Sequence, residues 1–207
     1  MTNLRTWMWI ALFAAVAGCM QSAIFAADGG PNLVTLDRLQ AAYRAENIAQ
    51  ERYLAFAAKA DDEGYKQVGS LFRAVARAEQ ILYTYHFDAI KELGGVPEEV
   101  VSQPPTVGPT KENLEKSSNK AEADQFDADY TTYVKNARAE GNRNVAKVLE
   151  YARQVEAQNV RLFAAAAKSL DQMRGGPKGY YICGVSGVVS ATLDMANCSG
   201  PDWERVR

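Results

Sequence analysis

Four glutamates carry the chemistry this sequence offers: Glu46, Glu79, Glu122 and Glu156. Three of them interrupt apolar stripes. One stripe reads Leu36, Leu39, Tyr43, Glu46, Gln50, Tyr53, Ala57, Ala60, and a second reads Val68, Phe72, Val75, Glu79, Leu82. A third reads Val145, Leu149, Ala152, Glu156, Asn159, Phe163, Ala166, Leu170. Steps of three and four keep each set on one helical face, the face a bundle buries. Glu122 lies one turn before Phe126, ahead of Tyr130, Tyr133 and Ala137, with Gln125 on the same side. The expectation is that all four carboxylates point inward at similar heights.

None of these stripes contains a Lys or Arg. Burying an ionised carboxylate without a partner costs several kcal/mol, and a whole domain is stable by only about 5–15 kcal/mol. The four groups must therefore be protonated, hydrated or neutralised by cations. A pair of divalent metals would balance four carboxylates, and di-metal sites in helix bundles draw one Glu from each helix. A single Glu on a stripe ordinarily sits at its edge with its head in water. Four at repeat-related places favour the metal.

Four helices must position them. The periodicity predicts helices over Leu36–Asp62, Tyr65–Leu93, Lys111–Ala139 and Asn142–Met173, with stops at Gly94-Gly95 and Gly175-Gly176-Pro177. Glu63-Gly64 and Glu140-Gly141 join them into two tight antiparallel hairpins. The segment between the pairs, GGVPEEVVSQPPTVGPT, is rich in Pro and Gly. Extended, it spans about 55 Å, more than the roughly 40 Å of such a helix. One long crossover between two hairpins is the ferritin-like topology. The hairpins also repeat: EGYKQVGSLFRAVARAE ends at Glu79, and EGNRNVAKVLEYARQVE ends at Glu156. Glu46 lies 33 residues before Glu79 and Glu122 lies 34 before Glu156, so the repeat marks one carboxylate per helix.

Composition sets the class. Hydrophobic residues make up 47% and charged residues 23%, and the formal net charge is −2. These values describe a soluble globular chain and give no basic footprint for nucleic acid. Residues 1–27 read as an export segment, with an apolar run Trp7–Ala17 too short to span a bilayer comfortably. The run ends in Val16-Ala17-Gly18-Cys19, which resembles a bacterial lipobox and makes Cys19 a lipidation candidate. Ordinary cleavage after Ala26 or Ala27 is the alternative. Either way the protein is expected in the periplasm or cell envelope. Residues 33–174 form the bundle and 178–207 a small C-terminal piece. The remaining pair, Cys183 and Cys198, suggests a disulfide in that oxidising compartment.

The chain resembles the rubrerythrins. The resemblance rests on ERYLAFAAKADDEGYKQVGSLFRAVARAE, the AEGN that opens the fourth helix, the LGGV after the second, and GYYICGVSG near the C-terminus. It covers about Leu36–Arg207. It implies a ferritin-like di-iron bundle that reduces hydrogen peroxide, a rubredoxin-like C-terminal β domain that feeds it electrons, and a homodimer. The implied metal ligands are Glu46, Glu79, Glu122 and Glu156. A His is implied at position 82, where Leu82 stands, and another at 159, where Asn159 stands. A further Glu is implied at 125, where Gln125 stands. Oxygen-only sites suit Mg, Ca or Mn better than iron, so Gln125 and Asn159 enter as carbonyl ligands. The sole His, His86, lies seven residues beyond Glu79 and is assigned to packing or hydrogen bonding. A rubredoxin-like site needs two Cys-x-x-Cys knuckles. Here they are Cys183-Gly184-Val185-Ser186 and Cys198-Ser199-Gly200-Pro201. No four-cysteine iron centre is expected. The two survivors would face each other, and a bridge closing that loop is worth about 3 kcal/mol.

Three functions follow from this reading. One is a residual peroxidase or ferroxidase that draws electrons from an external donor. Another is a metal-binding protein of the envelope without turnover. The third is a structural pseudo-enzyme. Tyr43, Tyr53, Tyr130 and Tyr133 do not discriminate among them.

Overall fold

Two glycine turns divide the helices. The computed structural model describes residues 31–193, 198 and 202–207. The export segment 1–27, with Cys19, lies outside the described residues. Helices α1 (Pro31–Asp62) and α2 (Lys66–Glu92) flank Gly64, and α4 (Lys120–Ala139) and α5 (Arg143–Lys168) flank Gly141. Both glycines take the left-handed conformation, with φ of 81° and 82°. The next residue then donates back across the helix end: Tyr65 N–H to the Ala60 carbonyl and Asn142 N–H to the Ala137 carbonyl, each 2.8 Å. A side chain with a Cβ is strained at that φ. The sequence repeat is thus a repeat of helix stops.

The crossover runs the length of the bundle. At its start Gln40 Nε2 donates to the Val96 carbonyl (2.7 Å) and Gln40 Oε1 accepts from Glu98 N–H (3.1 Å). At its end Thr110 N–H donates to Glu63 Oε2 (2.9 Å). Gln40 and Glu63 sit toward opposite ends of α1, about 35 Å apart along a helix. The α4–α5 turn returns to the start of α1, where Thr35 Oγ1 donates to Glu140 Oε2 (2.6 Å). This is a ferritin-like four-helix bundle.

The third predicted helix, Lys111–Ala139, is not continuous. It divides into α3 (Thr110–Ser117) and α4, with Ser118 and Asn119 between them. The cause is local. Serine and asparagine side chains compete for backbone hydrogen bonds and favour caps over helix interiors. Asn119 caps α4, accepting from Ala121 N–H at 3.1 Å. The fourth predicted helix also ends earlier, at Lys168, and Leu170–Met173 form one 3-10 turn.

A three-stranded antiparallel sheet follows: β1 (Tyr180–Cys183), β2 (Val189–Ser190) and β3 (Trp203–Val206), in the order β2-β1-β3. It rests on α2, where Tyr85 Oη donates to the Val185 carbonyl (2.9 Å) and Arg77 pairs with Glu204 (2.8 Å). Cys183 and Cys198 are bonded, with Cα atoms 5.6 Å apart. Ser186 stands where the first knuckle would need its second sulfur, and its hydroxyl accepts from Val188 N–H instead. Reducing the bridge should destabilise this sheet by about 3 kcal/mol. Hydrogen exchange of the Tyr181 and Ile182 amides with and without reductant measures it, and equal protection in both would contradict it.

Candidate metal centre

Antiparallel pairing brings three glutamates level. Glu46 from α1, Glu79 from α2 and Glu156 from α5 each offer a carboxylate oxygen within 4.8 Å of the others. One side of the cluster is closed by rings that lie two to three turns away on the same three helices. Phe72 packs against Phe56 (5.4 Å between centroids) and Phe163 (5.1 Å), and Tyr53 against Phe163 (5.3 Å). Glu79 is fully buried and Glu46 is 3% exposed. Asn159 lies one turn after Glu156 and donates from Nδ2 to Glu79 Oε1 at 3.2 Å.

Burial dominates the electrostatics. It pushes the Glu46 carboxyl up to about 8, with the Glu156 charge adding and a hydrogen bond with Glu79 opposing. Glu79 is held well above the usual carboxylate range by burial first, then by Glu46. Glu156 is raised by burial and by Glu79. Without a cation the cluster therefore holds protons at neutral pH.

A cleft of about 260 Å³ opens onto the cluster, lined by Glu46, Arg52, Tyr53, Glu122, Phe126 and Glu156. Arg52 corrects the expectation that no basic side chain approaches. Its charge opposes the upward shift of all three clustered carboxyls, and its guanidinium lies 5.2 Å from the Tyr53 ring centre. Reading the stripe passes over Arg52 because it directly precedes the stripe residue Tyr53. The only signal was that adjacency.

Glu122 and Gln125 do not join the cluster, against the expectation that all four helices aim carboxylates inward. Both are exposed. Glu122 stands in the first turn of α4 and accepts from Asn119 Nδ2 at 2.9 Å. A carboxylate there is favoured by the helix dipole and by its cap. Gln125 donates along the surface to Asp129 Oδ1 (3.0 Å). From α4 the residue that senses the three carboxylates is Tyr130, whose phenol is raised by burial and then by their charges. Leu82, at the position where the resemblance implied a His, is fully buried and offers no donor.

His86 lies two turns beyond Glu79, on the opposite side of the cluster from the aromatic layer. It is fully buried, with Nδ1 4.0 Å from Glu46 Oε1. Burial lowers its basicity, to about 4. Neither ring nitrogen has a hydrogen-bond partner among the described residues.

The rubrerythrin family profile matches residues 37–167. The chain belongs to the rubrerythrin family. It is similar to rubrerythrin-2 of Clostridium acetobutylicum, 29% identical over 81% of this chain and 91% of that protein. It is also similar to nigerythrin of Nitratidesulfovibrio vulgaris, 27% identical over 79% of this chain and 80% of that one. Among solved structures, nigerythrin in its fully reduced, all-ferrous state superposes with a TM-score of 0.72. That match is 25% identical and covers 83% and 86% of the two chains. A bacterioferritin of Desulfovibrio desulfuricans shares the fold at 18% identity and a TM-score of 0.63, over 71% and 90% of the chains.

The residues present fit a cation. Glu79 Oε2 and Asn159 Oδ1 are buried without a hydrogen-bond partner among the described residues. Such groups are costly unless something satisfies them. Three carboxylates and an amide oxygen form a hard donor set that suits a divalent ion.

Proposed function

We propose that this rubrerythrin-family protein binds divalent metal, iron by family, at Glu46, Glu79 and Glu156, with the Asn159 side-chain oxygen completing the inner set. The observation that carries this reading is the convergence of two buried carboxylates and a half-buried one beside two oxygens without a hydrogen-bond partner among the described residues. Bound iron would supply one-electron chemistry of the peroxidase or ferroxidase kind. The protein's part is to hold and shield it. Asn159 fixes Glu79 through its amide, the aromatic layer excludes water from one side, and the cleft beside Arg52 and Glu122 admits small reactants from the other. Glu122 stands at that mouth as an outer carboxylate.

Electrons for turnover come from outside the chain in this reading. Cys183 and Cys198 are bonded to each other, which leaves no four-cysteine centre in the C-terminal piece. The same bond favours a metal-binding envelope protein without its own relay as the second reading. It also supports export, because disulfides persist in oxidising compartments. We place the mature chain outside the cytoplasm, anchored through Cys19 or cleaved after Ala26 or Ala27, and pairing as a homodimer.

Elemental analysis of purified protein tests the metal. Wild type should retain divalent metal through dialysis, and Glu79→Ala should lose it while keeping its helical circular dichroism. Folded wild type that binds no Fe(II) above background under anaerobic titration would overturn the reading. If metal is bound, peroxide consumption with a generic donor then separates enzyme from metal carrier.

A further inference from the structure

We propose that His86 is a metal ligand, and that with Glu46 it forms a second cation position beside the three-glutamate cluster. The inference rests on the metal-binding reading above and extends it to a residue first assigned to packing. Three observations carry it. His86 is completely buried, and both of its ring nitrogens lack hydrogen-bond partners among the described residues. Native interiors rarely leave even one such atom unsatisfied. Its Nδ1 faces Glu46 Oε1 across 4.0 Å, too far for a hydrogen bond. An ion between them, bonded to both at about 2.0–2.2 Å, would hold the two donors on nearly opposite sides. Glu46 also belongs to the three-carboxylate cluster, so one carboxylate serves both positions.

Counting along α2 hid this arrangement. Seven residues separate His86 from Glu79, which puts the ring out of reach of an ion held by Glu79. Glu46, from the facing helix α1, closes the distance. A neutral imidazole turns an oxygen-only donor set into a mixed one, and that shifts preference from Mg, Ca and Mn toward Fe and Zn.

The test uses the untagged mature chain, with Co(II) as the probe. His86 is its only histidine, so any imidazole signal reports this one ring. Wild type should bind two Co(II) per chain and show one paramagnetically shifted, solvent-exchangeable imidazole N–H resonance. His86→Gln should bind one Co(II) and lose the resonance. His86→Leu should do the same while its metal-free form stays at least as stable as wild type, which separates lost ligation from lost folding. One Co(II) per chain that is lost in Glu79→Ala, with the His86 resonance unshifted, would overturn this inference and leave the carboxylate site standing. No Co(II) at all would overturn both.

Discussion

Stripped of metal by a chelator, the protein should lose about 2 kcal/mol of stability between pH 6.5 and pH 8, from Glu46 alone. The Glu46 carboxyl moves from 4.5 when unfolded to about 8 when folded, chiefly because burial disfavours its charge. A group raised in this way contributes stability that is complete below pH 4.5 and is lost as pH climbs through 8. Each unit between those limits is worth about 1.4 kcal/mol. Glu79 and Glu156 are raised from the same starting value and act in the same direction. His86 acts oppositely and lower down. Its folded value of about 4 lies beneath the ordinary 6.5, so its contribution is complete above pH 6.5 and fades as pH falls toward 4. The decline above pH 6.5 is therefore due to the carboxyls. With metal in excess the slope should reverse, because binding requires ionised carboxylates and releases their protons. Urea unfolding at several pH values, with chelator and with Mn(II), measures both slopes. Stability of the chelated protein that stays flat or rises over this interval would contradict a protonated cluster.

The fold and the site were legible to different depths, for physical reasons. Hairpins and crossover could be read because glycine stops, Pro-rich linkers and helical periodicity are local signals. Glu46, Glu79 and Glu156 could be placed because each sits on a continuous stripe whose apolar members fix the rotation of its helix. Glu122 could not. Its helix begins two residues earlier, at Lys120 behind the Asn119 cap, and a carboxylate in a first turn answers to the cap and the dipole before it answers to the core. Arg52 escaped notice because stripe reading registers what lies on a face, and a long side chain reaches around from its edge. His86 was judged by its distance from Glu79 along one helix, whereas its neighbour Glu46 comes from another. Contacts between helices were the part the sequence left unspecified.

Placing His at positions 82 and 159 should raise affinity for Fe(II) by about 100-fold, equivalent to roughly 2.7 kcal/mol. Position 82 lies three residues after Glu79 and position 159 three after Glu156, so each pair shares a helix face. Both side chains there are already buried, Leu82 completely and Asn159 to 1% exposure. Leu82→His exchanges an inert side chain for an imidazole beside Glu79. Asn159→His removes the amide that now donates to Glu79 Oε1 and supplies a nitrogen ligand in its place. Imidazole suits iron better than an amide oxygen does. The double variant should also divide stability by metal state. Without metal it should unfold more easily than wild type, by about 1–3 kcal/mol, because a buried polar ring lacks partners. With Fe(II) present the order should invert, since ligand binding stabilises in proportion to affinity. Competition titration under anaerobic conditions and denaturation with and without metal read these effects separately. A folded double variant with wild-type affinity would show that the cation does not sit between Glu79 and Glu156. If His86 serves a separate position, adding His86→Gln to the double variant should remove one metal and leave the gain at the other intact.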